Sequence, residues 1–191
     1  DSCKITLWKN TIKQQLTQEP FSSHTEAYVF ITPAGDVYVA GTERRPSGVG
    51  IIRLWKNGVA SDVTNGAKDA MVTSLFVNGN DVYIGGSQKT IGAINTTATL
   101  WKNGTPQHLT STTSYYNAVL SVQVAGTDVY AAVQEADSGF VVKNGTKLSR
   151  PTGILEMRDI FLSGNDLYVL GKQSSITTSV WKNGVLLYNL I

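Results

Sequence analysis

The sequence contains a single cysteine, Cys3, and few charged side chains. One thiol excludes an intrachain disulfide framework and a cysteine-based zinc site. Charged residues make up 16% of the chain, against about 25% in an average globular protein. The formal net charge is +2, with no run of one sign. We therefore expect no nucleic-acid partner, because such a surface needs clustered Lys and Arg.

Long apolar runs and helical periodicity are also lacking. No segment approaches the ~18 consecutive apolar residues of a membrane helix, and the first twenty residues do not form a charged-then-apolar leader. We expect no membrane insertion, and we expect that any export signal is absent from this chain. No segment shows a helical period over eleven residues, so the sequence favours an all-β fold. Its 191 residues fit one domain without disulfides or metals.

Two short phrases alternate along the whole chain. The first reads Trp-Lys-Asn-Gly in its full form and holds all four tryptophans; its copies stand at 7–10, 54–58, 100–104, 141–145 and 180–184. The second has the form Asp-Val-Tyr, or Asp-Leu-Tyr in the last copy, followed by small and apolar residues; its copies begin at Asp36, Asp81, Asp128 and Asp166. These aspartates are 45, 47 and 38 residues apart, which is the length of one four-stranded propeller blade.

Each repeat predicts two consecutive β-hairpins, as residues 71–111 illustrate. Residues 71–77 are β-branched and apolar on alternating positions and lead through the turn 78–80 into a second strand. A third strand ends at Asn103-Gly104, the pair that a type I′ turn requires, and a fourth follows. We call these strands one to four of a blade.

The repeats predict a single β-propeller domain or propeller fragment over 1–191. It comprises about four four-stranded blades, at 27–64, 71–111, 118–149 and 157–191. An extra N-terminal hairpin precedes them at 5–17. The hairpin has the pattern of strands three and four alone. It is therefore either an addition to a complete small propeller or half of a further blade. In the second case the missing half lies in a longer repeat protein, or a second copy self-associates through the unpaired half-blade.

The recurring side chains have structural interpretations. We expect the repeated Trp and Tyr rings to be buried wedges between blades, because an isolated four-stranded sheet cannot cover both of its faces. The repeated aspartate is expected to bond its own turn or a neighbouring strand. The lysine of Trp-Lys-Asn is expected to be a solvated strand residue.

On these two phrases the chain resembles uncharacterised exported bacterial β-propeller repeat proteins. The resemblance covers nearly the whole chain and implies a propeller in an extracytoplasmic setting, whether secreted, periplasmic or on the cell surface. It implies no reaction, so no catalytic residue is assigned. The third copy departs from the pattern, with Val142 in place of Trp, and we expect that blade to pack differently.

Binding residues are expected where the repeats vary. The loop between strands two and three is longer in the first two copies, and it shares one face of a propeller with the connections between blades. Arginine can grip a carboxylate, a sulfate or a planar group. Adjacent tyrosines could stack on a sugar or contact a protein, although a solvated loop and core packing are the alternatives. The candidate ligand-binding residues are Arg44, Arg45, Gln88, Lys89, Tyr115 and Tyr116.

Signatures of catalysis are sparse. His24 and His108 lie outside any metal or nucleophile motif and are expected to be surface or turn residues. There is no calcium loop, phosphate loop or dinucleotide fingerprint, so we expect no cofactor and no metal. Six acids have no partner by sequence pattern; they are Glu26, Glu43, Glu135, Asp137, Glu156 and Asp159. The sequence favours a non-enzymatic extracytoplasmic module that binds a glycan or a protein at the loop face. The alternatives are a structural or self-associating repeat segment and, third, a glycoside hydrolase.

Overall fold

Short antiparallel sheets make up the molecule. A computed structural model describes residues 4–17, 26–111 and 115–190. Within these ranges it contains eighteen strands, arranged in one two-stranded and four four-stranded antiparallel sheets. The part of the chain that is described holds no helix of the length and apolar character needed to cross a membrane. The predicted all-β architecture of four blades and a hairpin is confirmed.

The strands follow chain order within every sheet. The hairpin comprises β1 (Thr6–Lys9) and β2 (Ile12–Gln15). The first blade comprises β3 (Ala27–Ile31), β4 (Val37–Arg44), β5 (Gly50–Lys56) and β6 (Val59–Asp62). The second comprises β7 (Asp69–Asn78), β8 (Asp81–Lys89), β9 (Thr97–Lys102) and β10 (Thr105–His108). The third comprises β11 (Asn117–Ala125), β12 (Asp128–Glu135), β13 (Ser138–Lys143) and β14 (Thr146–Lys147). The fourth comprises β15 (Glu156–Ser163), β16 (Asp166–Lys172), β17 (Thr178–Lys182) and β18 (Val185–Leu190).

The Asn-Gly pairs form the predicted hairpin turns. Asn103 and Gly104 have φ angles of 50° and 81°, and they connect β9 to β10 in the register Lys102↔Thr105. Both central residues of a type I′ turn need a positive φ, which asparagine tolerates and glycine adopts freely. The Asn-Gly pairs of the other three blades also have positive φ at both residues.

One polar arrangement lies at this same end of every blade, beside the Asn-Gly turn, and its second-blade copy is representative. Asp81 accepts hydrogen bonds from Asn103 Nδ2 at 2.7 Å and from Lys102 Nζ at 2.8 Å. The Asn103 side-chain oxygen accepts from the Val82 amide at 2.8 Å, and the Lys102 ammonium lies 5.3 Å from the centre of the Tyr83 ring. The repeated aspartate thus bonds a neighbouring strand, as predicted. The lysine is not simply solvated, because its charge is paired.

These aspartates make stability depend on pH. Hydrogen bonds from Lys102 and Asn103 hold the pKa of Asp81 below its usual value, and equivalent bonds lower the pKa of the three other aspartates. A carboxyl whose pKa is lower when folded stabilises the fold above its unfolded pKa, and that contribution is lost as the pH falls through the folded value. We expect the melting temperature to be level from about pH 7 to about pH 5 and to fall below about pH 4.

The variant Asp81→Asn removes one of the four carboxyls. It should lower the melting temperature at pH 7 and reduce the loss between pH 5 and pH 2, as measured by circular dichroism. An equal fall in melting temperature between pH 5 and pH 2 for the variant and the parent chain would contradict this account.

Three of the four tryptophans are buried wedges, as predicted. Trp55, Trp101 and Trp181 are exposed to only 1%, 2% and 0%, whereas Trp8 is exposed to 60%. Each buried ring points towards the preceding element: Trp55 packs with Ile5 of the hairpin segment, and Trp101 packs with Ile52 of the first blade. The prediction is wrong for Trp8 because the described chain places no blade behind the hairpin.

The third blade packs differently, as expected from its missing tryptophan. Val142 is buried against the second blade, and so is Phe140, which precedes it by two residues on the same face of β13. In the second blade the position of Phe140 is occupied by Thr99, two residues before Trp101. The aromatic ring has therefore moved by one alternate position along the strand.

Candidate ligand-binding face

The strand order collects all variable segments at one end of the molecule. In every blade the loop from strand two to strand three and the connection to the next blade lie at the end opposite the Asn-Gly turns. All six candidate residues lie there. Arg44 ends β4, Lys89 ends β8, and Tyr115 and Tyr116 precede β11. We call this end the loop face.

Arg44 and Lys89 come together around Asp69. Arg44 Nη1 lies 3.4 Å from Asp69 Oδ1, and Lys89 Nζ lies 3.8 Å from Asp69 Oδ2. The Gly50 amide also donates to Asp69, at 2.8 Å. The two cations thus share a partner that begins β7, which ties the first blade to the second. Pattern analysis did not single out Asp69, because only the folded chain brings it to Arg44.

Arg45 does not join this cluster. Its guanidinium donates to the Asn65 carbonyl at 3.3 Å and lies against Gly66, on the connection between the first two blades. Arg44 and Arg45 are neighbours in sequence but make separate contacts. The two guanidinium groups therefore do not form one site that could hold a single ligand.

The side chain of Gln88 is buried. Its amide nitrogen lies 3.3 Å and 3.2 Å from the two ring nitrogens of His108. The ring of His108 also contacts Thr99 Oγ1 at 3.2 Å. Burial and the nearby Lys68 lower the pKa of His108, which favours the neutral ring. His108 is a surface residue, as predicted, while His24 lies outside the described residues.

A shallow depression lies beside this histidine. Gln88 and Lys89 line it together with Lys68 and the loop that follows β8, and its volume is about 430 Å³. Arg44 and Lys89 thus meet at Asp69 and are already paired there, whereas Gln88 contacts His108. Their role in binding stays a prediction.

The two tyrosines lie in a separate groove between the third and fourth blades, which we call the tyrosine groove. Tyr115 is exposed to 76% and Tyr116 to 42%. The volume of the groove is about 760 Å³. Its lining is Tyr115, Tyr116, Gln134, Ala136, Asp137, Leu155, Glu156, Lys172, Ser174 and Ser175.

Backbone and side-chain hydrogen bonds hold the groove in shape. The Tyr116 carbonyl accepts from the Ala136 amide at 2.7 Å. Buried Gln134 donates to the Ala136 carbonyl at 2.6 Å and accepts from the Met157 amide at 2.7 Å. Since Ala136 lies in the third blade and Met157 in the fourth, Gln134 fixes the distance between the two walls. Sequence reasoning missed it, because one buried glutamine gives no periodic signal.

Charged groups and a second phenol, that of Tyr28, interact electrostatically with Tyr116. Glu156 binds Arg158 at 2.7 Å and Lys172 at 3.5 Å. Burial, followed by the charge of Glu26, raises the pKa of Tyr116. The same two causes raise the pKa of Tyr28, on the first blade, to about 12. Both phenols are therefore protonated hydrogen-bond donors at neutral pH.

The comparisons with known proteins identify the fold. No family model and no curated protein matches the chain. Among solved structures, the chain is similar to the Trypanosoma rangeli sialidase in complex with sialic acid, with a TM-score of 0.57 and 10% sequence identity. The chain has a β-propeller fold. The match covers 96% of this chain but only 40% of the sialidase, and at this identity it shows the fold alone.

Metal ligands are not gathered anywhere in residues 4–17, 26–111 and 115–190, where no group of three His, Cys, Asp or Glu side chains is placed to hold an ion. Two of the six acids considered above, Asp137 and Glu156, line the tyrosine groove together. The groove therefore combines aromatic rings, carboxylates, an amide and hydroxyls.

Proposed function

We propose that this protein is a non-enzymatic, extracytoplasmic β-propeller module that binds a glycan in the tyrosine groove. The observation that carries the proposal is the 76% exposure of Tyr115 in the groove beside Tyr116. Concave surfaces that combine apolar rings with a few polar groups are typical of ligand sites. Neither ring takes part in the packing between blades that accounts for the buried tryptophans.

The groove suits the chemistry of a saccharide. A sugar ring presents an apolar C–H face that can stack on an aromatic ring, and its hydroxyls both donate and accept hydrogen bonds. Asp137 and Glu156 supply acceptors, and Lys172 supplies a donor. The protonated Tyr116 phenol adds another donor. The similar sialidase structure contains sialic acid, so acidic sugars belong in the test.

The extracytoplasmic setting is supported by the repeat phrases. The resemblance to exported bacterial propellers rests on those phrases, and the chain has one cysteine only, which suits either redox compartment. Fractionation of the producing cells, with detection by an antibody against this chain, tests the setting. Recovery in the cytoplasm alone would refute it.

The variant Tyr115→Ala tests the site. We expect the parent chain to bind a subset of neutral or sialylated glycans on an array, and we expect the variant to bind them at least tenfold more weakly, about 1.4 kcal/mol. Val59→Ala is the control, because Val59 is another large apolar residue, exposed to 74%, but lies on β6, outside the groove. Absence of glycan binding, or equal losses in both variants, would overturn the proposal.

A glycoside hydrolase is the second candidate, favoured by the carboxylates of Asp137 and Glu156 in one groove. Glycosidases use two acids on either side of the bond that is cleaved. Incubation of the chain with each bound glycan, followed by mass spectrometry, separates the two functions. Intact glycan supports a binding module. Cleavage product that forms with the parent chain, but with neither Asp137→Asn nor Glu156→Gln, supports hydrolysis.

A further inference from the structure

Every blade has two faces, defined by cross-strand pairs. On the first blade, Phe30, Tyr38 and Lys56 are paired in one row and point to the second blade. We call this the leading face. Val29, Val39 and Trp55 form the adjacent row on the opposite side, where Val39 and Trp55 pack against Ile5 of the hairpin segment. This is the trailing face.

Trailing-face residues are buried wherever a blade precedes them. The pairing with strand two aligns Val29 with Leu75, Val122 and Ile160 in the later blades. Those three are exposed to at most 8%, while Val29 is exposed to 57% and Ile31 to 63%. Trp8 is exposed to 60% for the same reason. Among residues 4–17, 26–111 and 115–190, nothing covers the trailing face of the hairpin and β3.

Leading-face residues are covered wherever a blade follows. Phe30 is half-buried, and its ring centre lies 5.0 Å from that of Phe76 in the second blade. The equivalent residue of the fourth blade, Phe161, is exposed to 60%. Beside it, Leu170, Val180 and Tyr188 form one cross-strand row. In the part of the chain that the structure describes, the fourth blade therefore presents an uncovered apolar leading face.

Leu170 indicates what covers this face. The equivalent residues are Ala40, Gly85 and Ala132. They are small because strand one of the following blade lies against them: a Cβ on Gly85 would be 2.8 Å from Val119 Cγ1. A leucine leaves no room for a first strand. It suits a neighbour with strands three and four alone, which is the composition of the β1–β2 hairpin.

We propose that a second copy of this chain docks head-to-tail on the fourth blade. The hairpin of one copy, through Trp8, covers Phe161, Leu170 and Tyr188 of the other. The contact continues the blade-to-blade packing already present within each chain. It joins two different surfaces, so each dimer retains one free face of each kind and can close into a ring or extend.

Two surface variants and their mixture test this docking. The parent chain should show a mass of two or more chains by light scattering as its concentration rises from about 1 μM to about 100 μM. Trp8→Asp removes the trailing face and Phe161→Asp removes the leading face, so each variant alone should be monomeric. Their equimolar mixture should form a dimer that cannot grow, because each partner supplies the face that the other lacks.

Ile176→Asp is the control, since Ile176 is 90% exposed in the loop after β16, away from both faces, and it should associate as the parent does. All three changes are at exposed positions, and unchanged melting temperatures verify that the variants fold. A parent chain that stays monomeric over the whole range overturns the proposal. So does a mixture of the two variants that stays monomeric, or an assembly that survives either substitution.

Discussion

Replacing Trp101 with alanine should lower the free energy of unfolding by about 3 to 5 kcal/mol. The ring is buried between the first two blades, where it packs among Ile52, Val72 and Ile84. Truncation removes its apolar contacts and leaves a cavity that neighbouring strands cannot close, since their separation is fixed by their own sheets. Urea titration followed by circular dichroism at 218 nm, in the range of the β-sheet signal, measures the change.

Trp8→Ala is the matched control, because the same residue type occupies the same position of its repeat without a blade behind it. Its cost should be at most about 1 kcal/mol at concentrations where the chain is monomeric. Comparable losses for the two variants would show that the tryptophans do not stabilise the stack as wedges between blades.

Replacing Gln134 with leucine should cost about 2 to 4 kcal/mol and weaken glycan binding together with stability. The side chain is buried and serves the Ala136 carbonyl, the Leu155 carbonyl and the Met157 amide. Leucine has a similar size but leaves these backbone groups without their partner, and each buried unsatisfied group costs about 1 to 3 kcal/mol without strict additivity.

Gln107→Leu provides the comparison, since Gln107 is exposed on β10 and should change stability by less than about 0.5 kcal/mol. The same urea titration applies to both variants. If Gln134→Leu were as stable as Gln107→Leu, the hydrogen bonds across the third and fourth blades would be unimportant for the groove.

The fold was largely predictable because its determinants recur. Alternating apolar positions, Asn-Gly turns and the Asp-Val-Tyr phrase act within one blade. Each copy of the sequence therefore favours the same strands and turns. The same logic located the wedges at Trp55, Trp101 and Trp181. It was wrong for Trp8, because burial depends on the neighbouring blade and not on the phrase itself.

The loop face was less predictable because its contacts join distant segments. Arg44 and Lys89 are paired by Asp69, which sequence patterns did not relate to either of them. Gln88 lies at the end of a strand, where a shift of one position decides between the sheet interior and solvent. Of the six candidate residues, only Tyr115 and Tyr116 lie as the sequence suggested. They form an exposed aromatic pair in a polar connection between blades.

The Asp-Lys-Asn contacts at the turn end have a consequence for how the chain acquires its shape. In the second blade, Asp81 and Asn103 are separated by 22 positions, and every partner in the contact belongs to the same blade. Short loops close faster and at lower entropic cost than long ones. We therefore expect strands two and three to align in each blade before neighbouring blades dock, so that folding proceeds as local assembly followed by stacking.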